Sequence, residues 1–167
     1  LHWFCSPVQR MCDVGKTLVT HRAVGRGLVV EQHFAVSADG TRVPYFQVGP
    51  AELVADGRNP TLLSGYGGFE VSRTPGYSGV IGRSWLTRKV EASGAGGAAP
   101  GRTGVYVIAN IRGGGEYGPR WHQAALKENR HKAYEDMAAV ARDLVEHPGH
   151  HVAAALPHLP FADGAFD

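Results

Sequence analysis

The sequence predicts an α/β fold, because it follows the order of strand, glycine-rich loop and helix that is typical of this class. Two apolar runs, residues 60–63 and 105–111, are predicted strands, and a cluster of glycines closely follows each of them. Residues 132–146 then carry apolar side chains at helical spacing. With 167 residues, 43% of them hydrophobic and 19% charged, the chain has the composition of one globular domain.

The composition excludes several classes of protein. No apolar run reaches the roughly 18 residues that a membrane-spanning helix needs. The net charge of +2 is spread along the chain, so no nucleic-acid-binding surface is predicted. Cys5 and Cys12 can build neither a disulfide framework nor a four-cysteine zinc site. The first residues lack the zones of a secretory signal, which favours a cytoplasmic location but does not fix the compartment.

The strands are predicted from apolar runs and turn residues. Two apolar and aromatic stretches within residues 29–46 are joined by Ser-Ala-Asp-Gly at 37–40, which predicts a β-hairpin. Pro44 cannot donate to a strand ladder, so we expect the second arm to lie at a sheet edge. The later runs, residues 60–63 and 105–111, are short and continuously apolar, so we expect both to be interior parallel strands.

The helices are predicted late in the chain. An amphipathic helix over residues 132–146 ends before Pro148. The apolar face predicted for this helix consists of Ala133, Met137, Val140, Ala141, Leu144 and Val145. A second helix is predicted to begin after Pro119, which suits a first helical turn, and to run through residues 121–127.

The glycine cluster that follows the strand at 105–111 has two interpretations. Residues 113–118 satisfy the pattern G-x-G-x-x-G, in which backbone amides receive a dinucleotide pyrophosphate. Such a site also needs an acidic residue about twenty positions later, at the end of the next strand. Glu135 and Asp136 stand at that distance, but they lie in the middle of the predicted helix. We therefore favour a structural loop in which glycines permit close backbone packing, with nucleotide binding as the alternative.

Neither a nucleophile nor a metal site is evident in the sequence. No serine stands in the G-x-S-x-G pattern of a nucleophile elbow. One cluster of histidines is present: His147, His150, His151 and His158. This cluster lacks the H-E-x-x-H pattern and a rigid element to fix ligand geometry, so exposed histidines without metal are favoured. His122 and His131 receive no assigned role, and no cofactor is predicted.

Three segments of the chain carry distinctive strings: residues 60–86, which include Tyr-Gly-Gly-Phe, residues 105–130, which include Asn-Ile-Arg-Gly-Gly-Gly-Glu-Tyr-Gly, and residues 132–146. These segments closely resemble the catalytic domain of the prolyl oligopeptidase family of serine peptidases. Residues 29–46 resemble the strand pair that opens this domain. The resemblance implies an incomplete α/β-hydrolase fold, limited to the N-terminal part before the nucleophile elbow. It divides the chain into a non-matching segment (1–26), a partial catalytic domain (27–146) and a non-matching tail (147–167).

The resemblance also implies a function and two site residues. Members of the family hydrolyse short peptides, typically after proline, with a Ser-His-Asp triad. Tyr66 matches the family tyrosine whose hydroxyl donates to the tetrahedral oxyanion, which makes Tyr66 the expected catalytic residue. Phe69 matches a residue that lines the substrate pocket, although ordinary core packing is equally compatible with its sequence. Arg112 and the glycines after it are expected to be structural.

The family's nucleophile, acid and base have no match in this sequence. We therefore expect the chain to be inactive alone, either as a partial peptidase or, alternatively, as a noncatalytic peptide-binding module. The two non-matching ends have the composition of out-of-frame translation of a GC-rich gene, so we expect a truncated or frameshifted reading frame. Short peptides are the expected partners, without nucleic acid or membrane. Unpaired sheet edges predict that the chain self-associates or needs the rest of the domain.

Overall fold

The computed structural model describes residues 27–54, 59–87, 89–90 and 102–147. The strands are β1 (Leu28–Val36), β2 (Arg42–Pro50), β3 (Thr61–Gly65), β4 (Lys89–Val90), β5 (Arg102–Thr103) and β6 (Val105–Ala109). The helices are α1 (Gly79–Ile81), which continues as a π-helical turn (Gly82–Leu86), α2 (Pro119–Gln123), a 3-10 turn (Lys127–Asn129) and α3 (His131–Glu146). The predicted N-terminal segment 1–26, and all of the predicted tail except His147, lie outside the described residues.

The main sheet has four strands in the order β1-β2-β6-β3. β1 pairs antiparallel with β2, β2 pairs antiparallel with β6, and β6 pairs parallel with β3. β4 and β5 form a separate two-stranded ladder. Because a parallel pair requires a long crossover connection, this mixed sheet confirms the predicted α/β class.

The turn at residues 37–40 closes the predicted hairpin between β1 and β2. The Ser37 amide donates to the Thr41 carbonyl at 2.9 Å, and the Gly40 amide donates to the Ser37 carbonyl at 2.9 Å. Gly40 has a φ of +81°, which glycine adopts without steric cost. The hairpin prediction is therefore confirmed.

The prediction that β2 lies at a sheet edge is wrong. β2 lies between β1 and β6. Pro44 is tolerated because its carbonyl accepts from the Asn110 amide, and the nitrogen and carbonyl of one strand residue point to the same side. That nitrogen therefore faces the region beyond Ala109, where β6 has ended, so its missing N–H breaks no bond of the ladder.

The two predicted interior strands occupy different positions. β6 is interior and almost fully buried, as expected. β3 has a neighbour on one side only among the described residues, and Leu62 is 39% exposed. The parallel pairing of the two strands is confirmed, whereas β3 does not reach an interior position within the described part of the chain.

Helix α3 packs on one face of the sheet and forms the core with it. Its buried residues are Ala133, Asp136, Ala139, Val140, Ala141 and Leu144. The predicted helix is confirmed, but Val145 lies 42% exposed outside its apolar face. The Tyr45 hydroxyl donates to Asp143 Oδ2 at 2.7 Å and joins β2 to the helix. Burial, followed by this contact with a carboxylate, raises the pKa of Tyr45.

The opposite face of the sheet is less completely covered. Because side chains alternate along a strand, Val48, Tyr106 and Ile108 point away from α3, and they line a cavity of about 940 Å³ beside residues 75–87. The Trp85 indole N–H joins the π-helical turn to the sheet by donating to the Val105 carbonyl at 2.8 Å. Within the described residues, no helix is long and apolar enough to cross a membrane.

Candidate active-site loops at the carboxyl edge of the sheet

Two loops leave the sheet at the same edge, because β3 and β6 run parallel with Gly65 opposite Ala109. We call residues 66–70, which follow β3, the tyrosine loop, and residues 112–118, which follow β6, the glycine loop. Open α/β sheets place their ligands outside the carboxyl ends of the strands. The sequence-predicted residues Tyr66 and Phe69 therefore lie where such a site is expected.

The tyrosine loop has an unusual backbone and presents two aromatic side chains. Tyr66 is 45% exposed, and its ring lies beside Gly68, where an added Cβ would be 3.7 Å from Cε1. Phe69 and Glu70 have φ angles of +50° and +56°, values that cost energy in residues other than glycine. Phe69 is 85% exposed, so it does not pack in the core of the described structure. Strain of this kind is typical of functional loops.

Glycines allow the two loops to pack backbone against backbone. A Cβ on Gly113 would lie 2.2 Å from the Gly67 carbonyl oxygen, and a Cβ on Gly115 would lie 2.1 Å from that of Glu70. A Cβ on Gly67 would lie 2.5 Å from Ile111 Cγ1. Real Cβ atoms do not approach other atoms this closely, so these positions require glycine. This contact supports the structural interpretation of the glycine loop.

Arg112 begins the glycine loop and lies buried in a network of carboxylates. Its backbone amide and Nε each donate to Asp136 Oδ2 at 2.9 Å, and Nη2 donates to Asp136 Oδ1 at 2.6 Å. Nη1 donates to Asp39 Oδ2 at 2.5 Å, and the Ser37 hydroxyl donates to Asp136 Oδ1 at 2.6 Å. The network joins the hairpin turn, the glycine loop and α3. Because both carboxylate oxygens of Asp136 accept hydrogen bonds from Arg112, Asp136 is not positioned to bind a ribose hydroxyl.

The network shifts the pKa values of Asp39 and Arg112. A hydrogen bond from Arg112 holds the pKa of Asp39 well below its usual range. The hydrogen bond to Asp136 raises the pKa of Arg112, so the guanidinium stays charged although it is only 3% exposed. A buried arginine with two carboxylate partners is characteristic of an anchor.

A second buried charged residue, Glu116, lies near the other end of the glycine loop. Its Oε1 accepts from the Arg73 amide at 3.0 Å and from Asn110 Nδ2 at 3.3 Å. Asn110 Nδ2 also donates to the Arg73 carbonyl at 2.6 Å. Glu116 Oε2 and Asn110 Oδ1 have no hydrogen-bond partner among the described residues. Burial raises the pKa of Glu116, and these hydrogen bonds only partly oppose the shift.

Arg130 and His122, from the segment that precedes α3, also contact the tyrosine loop. Arg130 Nη1 donates a short hydrogen bond to the Gly67 carbonyl. His122 Nδ1 lies 2.7 Å from the Gly113 carbonyl oxygen and 3.2 Å from the Glu70 amide. The shorter contact assigns the proton to Nδ1, so the Gly113 carbonyl accepts from His122 and, at 3.3 Å, from the Glu70 amide. Sequence reasoning gave neither side chain a role.

The described part of the chain contains no group of three or more His, Cys, Asp or Glu side chains suited to a metal ion. Of the predicted histidine cluster, the described residues include only His147, whose Nδ1 lies 3.1 Å from Asp143 Oδ1. The other three histidines lie outside the described residues.

Comparisons with known proteins agree with this geometry. The sequence profile of the prolyl oligopeptidase family matches residues 99–153. An uncharacterized peptidase of Sinorhizobium fredii is 45% identical over 139 residues, which are 83% of this chain and 17% of that protein. A prolyl endopeptidase of Elizabethkingia miricola is 38% identical over 116 residues, which are 70% of this chain and 14% of the relative.

A solved structure shows the same fold. The post-proline cleaving enzyme of Rickettsia typhi superposes with a TM-score of 0.63 and 39% sequence identity, over 73% of this chain and 16% of the enzyme. The chain thus spans less than one fifth of the length of these relatives. Its sheet and helices match the N-terminal part of their catalytic domains. The chain belongs to the prolyl oligopeptidase family.

Proposed function

We propose that this chain is the oxyanion-binding part of a serine peptidase that hydrolyses short proline-containing peptides. The observation that carries the proposal is the position of Tyr66, which stands partly exposed on a strained loop at the carboxyl edge of the sheet. The names of relatives support the substrate class, since they include a prolyl endopeptidase and a post-proline cleaving enzyme.

The chemistry proposed for Tyr66 follows from the charge that develops during acyl transfer. Attack on a peptide carbonyl places a negative charge on its oxygen in the tetrahedral intermediate. A neutral phenol donates a hydrogen bond that strengthens as this charge develops, so it stabilises the transition state more than the substrate. Phe69 would supply apolar surface beside the reacting bond, because its ring is exposed three residues further along the same loop.

In our proposal, residues 27–146 supply the oxyanion donor and apolar surface beside the reacting bond. The remainder of a complete domain supplies the triad, with its nucleophile and base. Nucleophile and base provide most of the acceleration in a Ser-His-Asp enzyme. The 167-residue chain alone should therefore release a proline-linked chromophore no faster than buffer and should resist labelling by a fluorophosphonate. Labelling of a serine in a sample free of host peptidases would contradict this division of roles.

The role of Tyr66 is tested in a chimera. Residues 27–146 replace the matching segment of the Rickettsia typhi enzyme, and cleavage of a proline-linked chromogenic peptide is measured. Tyr66→Phe should lower kcat by about a hundredfold or more while KM changes little, because the lost hydrogen bond acts mainly in the transition state. Tyr77→Phe, which removes the hydroxyl of another exposed tyrosine, is the matched control and should stay near the parent rate.

A noncatalytic peptide-binding module is the second candidate function. The exposure of both Tyr66 and Phe69 favours it, since aromatic side chains at a surface provide contact area for peptides. If this candidate is correct, a proline-containing peptide should bind the isolated chain and lose affinity on Phe69→Ala. In the chimera, Tyr66→Phe would then alter KM and leave kcat unchanged, the reverse of the result expected for an oxyanion donor.

A further inference from the structure

Arg130 contacts the tyrosine loop from a firmly held backbone position. It lies directly between the 3-10 turn and α3, and its carbonyl accepts from the Ala133 amide at 3.1 Å in the first turn of the helix. Its side chain does not cap this helix. The guanidinium instead donates to the Gly67 carbonyl and lies 5.5 Å from the ring centre of Tyr134. Arg130 therefore reaches across 63 positions of sequence to the loop that carries Tyr66.

The Gly67 carbonyl, which accepts from Arg130, belongs to the backbone beside the Tyr66 ring. Gly67 is buried with a φ of +54°, and a Cβ added to it would lie 2.5 Å from Ile111 Cγ1 and 2.7 Å from the Arg112 carbonyl oxygen. The Gly67 carbonyl belongs to the same peptide plane as the Gly68 amide, and a Cβ added to Gly68 would lie 3.7 Å from Cε1 of the Tyr66 ring. Rotation of this one peptide plane would thus move the surface on which the Tyr66 ring rests.

The other end of the tyrosine loop is held by a hydrogen bond between backbone groups. The Glu70 amide donates to the Gly113 carbonyl at 3.3 Å. The bond from Arg130 is charge-assisted and so is the stronger of the two attachments. An arginine also keeps its charge at every pH at which a peptidase works. Of these two hydrogen bonds, the one from Arg130 therefore contributes more to holding the loop.

We infer that Arg130 is a positioning residue for Tyr66 and acts through the Gly67 carbonyl. The inference deepens the proposed function, because it assumes that the Tyr66 hydroxyl is the oxyanion donor. Without the guanidinium, the Gly67 carbonyl loses its charged donor, so the Gly67–Gly68 peptide is held less firmly and the phenol is less well oriented. A misplacement of about 1 Å at a reacting centre can cost a hundredfold in rate.

The first test measures the order of Tyr66 directly, in the 167-residue chain and in the chimera. The tyrosines are labelled with 3-fluorotyrosine, and Tyr66→Phe identifies the resonance of Tyr66. Arg130→Met should shift and broaden that resonance and speed amide exchange in residues 66–70 by about tenfold or more. Arg130→Lys, which keeps a positive donor, should restore most of the parent spectrum. Arg142→Met removes an exposed arginine of α3 and is the matched control.

The second test separates positioning from general support of the fold. In the chimera, Arg130→Met should lower kcat by about tenfold to a hundredfold with KM within about twofold, and Arg130→Lys should recover most of the rate. In a Tyr66→Phe background, Arg130→Met should cause little further loss, because the group that it positions is already absent. Full additivity of the two losses would overturn the inference.

The outcomes distinguish this inference from the proposed function. An unchanged Tyr66 resonance and unchanged exchange in Arg130→Met would overturn the positioning role, whatever the kinetics show. Suppose that Arg130→Met shifts the Tyr66 resonance but Tyr66→Phe leaves kcat of the chimera unchanged. Arg130 would then still be the residue that orders Tyr66, and the oxyanion role of Tyr66 would be overturned. Equal effects of Arg130→Met and Arg142→Met on the resonance would also overturn the inference.

Discussion

The glycine loop buries a charged side chain near each end, and the two are held in opposite ways. Arg112 is paired with two carboxylates, Asp136 and Asp39, and its pKa is raised by these partners. Among the described residues, Glu116 receives hydrogen bonds on one oxygen only, and burial raises its pKa. Both side chains are less than a tenth exposed. Whether burial favours the charged form of a side chain therefore depends on its hydrogen-bond and ion-pair partners and not on how deeply it is buried.

The two ends of the glycine loop are also attached to different parts of the structure. The Arg112 end is joined to the hairpin turn and α3, which are regular elements with many backbone hydrogen bonds. At the other end, the Glu116 carboxylate accepts from the side chain of Asn110 and from the backbone amide of Arg73, three residues beyond the tyrosine loop. The first end therefore joins the loop to the hairpin turn and α3, and the second joins it to the chain that follows Glu70.

Removing the carboxylate partner of Arg112 should have the largest effect on stability. Asp136→Ala leaves a buried guanidinium whose one remaining charged partner in the described part of the chain is the partly exposed Asp39. We expect the free energy of unfolding to fall by about 3–5 kcal/mol, as for other broken buried ion pairs. Urea unfolding followed by tryptophan fluorescence measures the change.

The neighbouring carboxylate provides the control for this prediction. Glu135→Ala removes the preceding acidic residue of α3, which is only half-buried, and should change the free energy of unfolding by no more than about 0.5 kcal/mol. If Asp136→Ala were as mild as Glu135→Ala, the Arg112 network would not be the anchor described above.

Replacing Glu116 should have a smaller effect of the opposite sign. The pKa of Glu116 is raised in the folded protein, so its ionised form is disfavoured there, and stability falls as pH rises above its usual value of 4.5. Glu116→Gln keeps an acceptor for the Arg73 amide without the charge. We expect the variant to be more stable than the parent by about 1 kcal/mol at pH 8 and about equal to it at pH 4.

The pH dependence of urea unfolding checks this sign. Glu128→Gln is the control, since Glu128 is exposed and its replacement should change stability equally little at both pH values. A Glu116→Gln variant that is less stable than the parent at pH 8 would show that the ionised carboxylate of Glu116 stabilises the fold.

Asp39 should give the smallest effect. Its pKa is lowered in the folded protein, so its contribution is present above its usual value of 3.8 and is lost as pH falls through the lowered value. The carboxylate is 37% exposed, so solvent screens the pair. Asp39→Asn should cost less than about 1 kcal/mol at pH 7, and the difference should shrink in acid and in high salt. A loss equal to that of Asp136→Ala would contradict this ranking.

The regular elements were predictable from the sequence where their signals are local. The turn at 37–40 and the helix over 132–146 depend on residues close in sequence, and both are confirmed. The edge position expected from Pro44 is wrong, because the tolerance of a strand proline depends on where the neighbouring strand ends. Asp136 is buried because it pairs with Arg112, which lies 24 positions away, so no local sequence pattern predicts its burial.

The candidate site was predictable only in part. Resemblance to a family identified Tyr66 and Phe69, and the structure places both on the tyrosine loop. Arg130 and His122 gave no signal, because they contact the loop across 63 and 52 positions of sequence. Histidine and arginine outside a known motif resemble ordinary surface residues. Their roles depend on contacts that exist only after the sheet has formed.

The parallel pairing of β3 with β6 also has a consequence for the order of folding. The β1–β2 hairpin joins adjacent segments, so its loop is short and closes on the microsecond scale. Thr61 must instead find Val105 across all of the intervening chain, and such non-local contacts form slowly. The tyrosine loop is braced by residues beyond both strands. Tyr66 should therefore be among the last side chains to acquire its native environment, after the hairpin and α3 are in place.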